Sequence, residues 1–148
     1  MSLLGRLMQG FRTTHAEPLP APDEKLALGA LLVRVAKSDK VYTVSEISLI
    51  DRILAQHFGL NPVAAAKMRA TCEKLQAAAP NSDEFAELIR KELSHDERME
   101  ALCDLWQVVM ADGSEDAVEV DIVESVRKAL GLTEADSATA RQDALRAS

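Results

Sequence analysis

Aromatic side chains are scarce: Phe11, Tyr42, Phe58, Phe85 and Trp106 are all that 148 residues contain. A β-rich core would draw on more aromatic and β-branched side chains, so the shortage argues against a sheet protein. Glycine and proline number only six and five and fall at apparent element boundaries. The two cysteines, Cys72 and Cys103, are far apart and form no Cys-x-x-Cys. They read as small core residues in a reducing compartment rather than as a disulfide or a metal site. No stretch approaches the roughly 20 apolar residues that cross a bilayer, so no stable membrane insertion is expected. The N-terminus lacks the continuous apolar core and small-residue cleavage site of a secretory signal, which predicts a cytoplasmic protein. His15, His57 and His95 are isolated. There is no glycine-rich phosphate loop and no serine in a Gly-x-Ser-x-Gly setting, so no enzyme is indicated.

Aliphatic residues and alanine supply most of the apolar content. That composition favours an all-helical domain, and the length suits one core. The net charge is −7. Residues 96–124 hold ten acids against one base, Arg98, and so net −9, leaving the remainder at +2. An acidic body excludes a phosphate-backbone partner such as nucleic acid and suits cations or a basic protein. The same acids also serve as a solubilising surface.

Along the chain, Leu3, Leu4, Leu7, Met8 and Phe11 share one helical face within residues 2–12, with Arg6 and Arg12 off it. This short helix is expected to dock on the body or on a subunit mate, giving a possible route to a homo-oligomer. Pro18, Pro20 and Pro22 space a stiff connector, so residues 1–22 stand apart from a helical domain at 23–148.

Within that domain Asp23 caps a helix that is apolar nearly all round from 26 to 36, the mark of a central helix. Thr43-x-x-Glu46, Ser94-x-x-Glu97 and Asp116-x-x-Glu119 read as capping boxes. Asn61-Pro62 starts another helix as cap and first-turn proline. Ser82 caps a short helix with Phe85, Leu88, Ile89 and Leu93. Met99, Leu102, Cys103, Trp106, Val109 and Met110 form a stripe on a second central helix, and Thr133 caps a last, Ala-rich one.

The pattern repeats. Asp39 precedes Glu46 by seven residues, Asp112 precedes Glu119 by seven, and both copies run on to a Gly-Leu helix end, Gly59-Leu60 and Gly131-Leu132. Two units of helix, loop, helix, helix, at about 23–79 and 95–146, predict a compact pseudo-symmetric bundle of seven to eight helices. Each loop sets one carboxylate at a helix end and another in the next first turn, an arrangement of oxygen ligands that suits a hard divalent cation. The candidate metal residues are Asp112 and Glu119, with Asp39 and Glu46 the weaker pair because Lys40 would repel a cation. An EF-hand is excluded: Gly113 directly follows Asp112, and the twelfth position from Asp112 is Val123, which cannot ligate. The same residues also read as purely structural, with the two glutamates closing capping boxes and Gly113 supplying a left-handed turn.

At these residues the chain resembles the tellurite-resistance TerB family and the wider TerB-like domains. The likeness rests on Val35-Ala-Lys-Ser-Asp39 with Glu46 and Phe58-Gly-Leu, then on Leu105-Trp-Gln-Val-Val-Met-Ala-Asp-Gly113 with Glu119 and Leu130-Gly-Leu. It covers about residues 23–146. The resemblance implies an all-α bundle from a duplicated unit, metal association at the acidic loops, and a link to tellurite or other stress. The first copy departs from the family's Asp-Gly, since Lys40 follows Asp39. TerB-like domains can accompany a J-domain, but no His-Pro-Asp occurs here. The expectation is a non-enzymatic module that binds a divalent cation, or else a protein-interaction scaffold whose acidic face meets an unidentified partner.

Overall fold

A computed structural model of the chain describes residues 19–38, 41–80, 83–111, 113 and 115–147. Among them are seven α-helices and no strand: α1 Glu24–Lys37, α2 Val44–Phe58, α3 Pro62–Ala78, α4 Glu84–Glu92, α5 His95–Val109, α6 Ala117–Ala129 and α7 Glu134–Ala147. The expected helix at residues 2–12 lies outside the described residues.

Helix starts follow local chemistry. Asp23 accepts the Leu26 N–H at 2.8 Å, and Asn61 accepts that of Ala64 at 2.8 Å ahead of Pro62. Thr43 and Glu46 close a full capping box. Glu46 N–H donates to Thr43 Oγ1 at 3.1 Å, and Thr43 N–H donates back to Glu46 Oε1 at 3.0 Å. Ser94 and Glu97 do the same. The short helix α4 departs from expectation: its cap position is Asp83, which makes no side-chain capping bond, and Ser82 lies outside the described residues. Thr133 caps α7 in a reciprocal pair with Asp136.

Both predicted Gly-Leu ends form the same stop. Gly59 and Gly131 take left-handed backbone, and the next N–H, of Leu60 or Leu132, reaches back to the carbonyl of Ala55 or Arg127. At the second stop, Arg98 donates to the Leu130 carbonyl at 2.7 Å and Arg127 to the Leu132 carbonyl at 2.8 Å, satisfying acceptors that the helix end leaves open.

The core centres on α1 and α5, as the apolar patterns predict. Ala27 to Ala36 is buried throughout apart from Arg34, and Leu102, Leu105, Val108 and Val109 of α5 are sealed from solvent. Helix α1 packs on α2, α3, α4, α5 and α6, and α5 packs on α1, α2, α6 and α7. Gly29 lets α3 approach α1 closely: a β-carbon there would fall 2.2 Å from Cys72 Sγ. The Cys72 thiol is buried and donates to the Leu26 carbonyl. Trp106 is core, as its stripe position implies, and its indole N–H donates to Ser137 Oγ at 3.1 Å, fixing α7 to α5. No described helix is long and apolar enough to cross a membrane.

Candidate functional site

The sequence candidates lie in the loops between α1 and α2 and between α5 and α6 and in the turns that follow them. Asp39 and Asp112 lie outside the described residues, so the structure describes only the second member of each pair. Glu46, in the first turn of α2, is 3% exposed, and its Oε1 receives both the N–H and the hydroxyl of Thr43. That carboxylate is oriented by the cap.

Glu119, in the first turn of α6, is used differently. Asp116 Oδ1 accepts the N–H groups of Val118 and Glu119 at 2.9 and 3.3 Å, so the helix is capped. The reciprocal bond from Asp116 N–H to Glu119 is not made, and the expected third capping box is corrected to a one-sided cap. The Glu119 side chain is 2% exposed. The two glutamates therefore share sequence spacing and burial, but the helix caps beside them differ.

Each loop is anchored to the second helix after it. Tyr42 donates its hydroxyl to Glu73 Oε2 of α3 at 2.8 Å. Arg69 bridges the same carboxylate to Asp51 of α2, with N···O distances of 2.9 and 2.6 Å. Burial and the neighbouring Glu73 raise the Tyr42 pKa, so the phenol keeps its proton and remains the donor. In the second loop Glu115 pairs with Arg141 of α7, whose guanidinium also lies over the Trp106 ring. Among the described residues no three His, Cys, Asp or Glu side chains are grouped so as to hold a metal ion.

The structure brings together a second constellation that sequence reading did not assemble. His57, in the last turn of α2, places Nε2 2.7 Å from Oδ2 of Asp104 on α5. They lie in an open cleft of about 820 Å³ with Asp96, Glu100, Cys103 and Asp143 along its walls. The Asp104 carboxylate beside it raises the His57 pKa, while burial raises that of Asp104. His57, isolated in the sequence, has a buried acid from another helix as its partner. The available signal was Asp104 itself, a lone carboxylate inside the apolar run from Leu102 to Trp106. Cys103 shares the cleft, but burial and then the Asp104 charge push its thiol up to about 11. An activated nucleophile needs the opposite shift, so the cleft has no reactive thiolate near neutrality.

A family model for tellurite resistance protein TerB matches residues 25–142, which spans α1 to most of α7. Comparison with curated proteins and with solved structures finds no match. The family match takes in both acidic loops, the paired Gly-Leu stops and the two buried central helices: the chain belongs to the tellurite resistance TerB family.

Proposed function

We propose that the chain is a non-enzymatic cytoplasmic TerB module that binds a divalent cation at its acidic inter-helix loops and acts in tellurite or related stress tolerance. The observation that carries the metal reading is Glu119. Its carboxylate is buried in the first turn after the Asp112-Gly113 loop. A buried carboxylate next to a loop that offers Asp112 and backbone carbonyls suits an oxygen-seeking cation. The duplicated plan supports the assignment of units: α3 packs along α1 as α7 packs along α5, and each loop is tied to the last helix of its unit. The first loop is the weaker site, because Glu46 is engaged by Thr43 and Lys40 follows Asp39.

The test is thermal stability with calcium, magnesium and other divalent ions. A cation that binds only the native state stabilises it by about 2.7 kcal/mol at a hundredfold excess over Kd. For this chain length that raises Tm by roughly 5–10 °C. Glu119→Gln and Asp112→Asn should each reduce the shift, and Glu46→Gln should reduce it less. No shift with any divalent ion in the wild type defeats the metal reading. It would leave an interaction scaffold, for which the acidic walls of the 820 Å³ cleft offer a basic partner Asp96, Glu100 and Asp143.

A further inference from the structure

A pocket of about 390 Å³ lies where the C-terminal ends of α1 and α3 face α6. Arg34, Lys37 and Ser38 line it from α1 and its end, Gln76 and Pro80 from α3 and its end, and Ile122 from α6. Among the described residues no carboxylate lines it, although the chain carries 24 acids. Its two cations sit in the last turn of α1, where compensation of the helix dipole accounts for them. Gln76 has no such account. It is 9% exposed, and among the described residues its side-chain amide has no hydrogen-bond partner. The amide is not sealed off and borders this pocket. Burying an amide without a partner is unfavourable, and a ligand in the pocket would supply the missing bond.

We propose that this pocket binds a small molecule through an oxyanion group, a carboxylate or a phosphate. The site is separate from the cation loops and does not depend on them. Lys37 is exposed and has no ion-pair partner among the described residues. Arg34 brings a guanidinium on a side chain that is 12% exposed, and its planar fork matches the paired oxygens of an oxyanion. It already faces one carboxylate, that of Asp83 just ahead of α4, at 3.6 Å. That contact is longer than the roughly 2.7–2.9 Å of a charge-assisted hydrogen bond, and Asp83 is half exposed. An incoming oxyanion competes with Asp83 for a group already disposed to bind one.

The two helix ends oppose an anion only weakly. A helix C-terminus carries about half a negative charge, spread over its unbonded carbonyls. Here the Val35 carbonyl of α1 accepts the Ser38 N–H at 3.2 Å and the Ser38 hydroxyl at 2.7 Å, and the Gln76 carbonyl of α3 accepts the Ala79 N–H at 3.2 Å. Two full positive charges outweigh what remains. The Gln76 amide then donates to the anion, with the Lys37 ammonium as a point charge beside it. Ala77, Pro80 and Ile122 give the pocket an apolar side for a short hydrocarbon body. Its volume is near the low end of the roughly 300–1,000 Å³ of ligand pockets, which suits a small metabolite rather than a polymer.

Proton–nitrogen NMR spectra of the full chain test this, read at the Gln76 side-chain amide and at the backbone amides of Lys37 and Ser38. Inorganic phosphate and propionate are titrated separately, each against sodium chloride at matched ionic strength so that general screening cancels. At least one of the two should move these signals with a Kd of about 1 mM or tighter. Lys37→Gln and Gln76→Leu should each weaken binding roughly tenfold, the effect of losing one hydrogen bond to a charged group. Gln76→Leu should do so without lowering Tm, because an apolar group of similar size replaces an unbonded amide. Asp83→Asn should tighten binding severalfold by removing the competing carboxylate. Movement with phosphate alone assigns a phosphorylated ligand, and movement with propionate alone a carboxylic acid. The proposal is overturned if neither anion shifts the Gln76 signals beyond the chloride control at roughly 10 mM, tenfold above that Kd. It is equally overturned if Lys37→Gln and Gln76→Leu both bind as the wild type does.

Discussion

The Cys72 sulfur occupies the space that a side chain on Gly29 would need, 2.2 Å from where its β-carbon would stand. In an exposed helix, replacing glycine with alanine stabilises by about 1 kcal/mol. Here the sign reverses, because α1 and α3 meet without room for a methyl group. Gly29→Ala should destabilise by about 1–3 kcal/mol, the range for an overpacked core. Urea denaturation would measure it. Combining it with Cys72→Ala should recover part of the loss, since the sulfur goes but the Cys72 Cβ, 3.1 Å from the built position, remains. Simple additivity would show that the sulfur is not the obstacle.

The two loop glutamates should respond differently to the same change even without metal. At Glu46 the cap needs only an acceptor, so Glu46→Gln should cost under about 1 kcal/mol and Glu46→Ala about 1–2 kcal/mol. At Glu119 the cap belongs to Asp116, so Glu119→Ala should leave the start of α6 as protected from amide exchange as before while destabilising the buried interior beneath it. Equal fraying of α2 and α6 in the two Ala variants would refute the distinction.

His57 and Asp104 make stability depend on pH in a definite direction. The folded-state pKa of His57 is raised, so its contribution is complete below the unfolded value of about 6.5 and is lost as pH rises through the folded value. The raised Asp104 pKa acts with the same sign, since ionising the buried acid costs the folded state. Melting temperatures taken from pH 5.5 to 9 should therefore fall more steeply for the wild type than for His57→Gln. Parallel curves would show that the pair is not coupled to folding.

Neither thiol should react readily in the native protein. Burial pushes Cys72 up to about 12 and Cys103 up to about 11. Iodoacetamide at pH 7.5 should label Cys72 only as fast as the protein opens globally, and Cys103 faster but still well below a free thiol. Rapid labelling of Cys72 would mean that α3 separates locally from α1.

Features fixed within one helical turn were legible in the sequence. Asp23, Thr43, Asn61 and Ser94 cap as read, because capping depends on residues three apart. The all-apolar run in α1 and the Trp106 stripe gave the core for the same local reason. What failed was whatever required knowing where a side chain points in three dimensions. Glu119 has the spacing of a capping glutamate, yet the cap of α6 is one-sided. The Thr133–Asp136 reciprocal pair escaped a pattern that looks for Glu or Gln at the third position. The His57–Asp104 ion pair joins residues on helices brought together only by packing, and periodicity within either helix carries no trace of it.

The burial of α1 has a consequence for how the molecule can be taken apart. Its wall is shared: α2 and α3 cover part of it, and α4, α5 and α6 cover the rest. A cut in the segment between α3 and α4 would therefore not release two small domains. The first fragment would carry Leu31, Leu32 and Val35 with half their covering stripped away, and the second would keep an α5 face with nothing to bury it. Neither piece would fold alone, but mixing them would rebuild one protein, so the pair would behave as a split reporter that forms only on reassembly. The two halves of the chain are obligate complements.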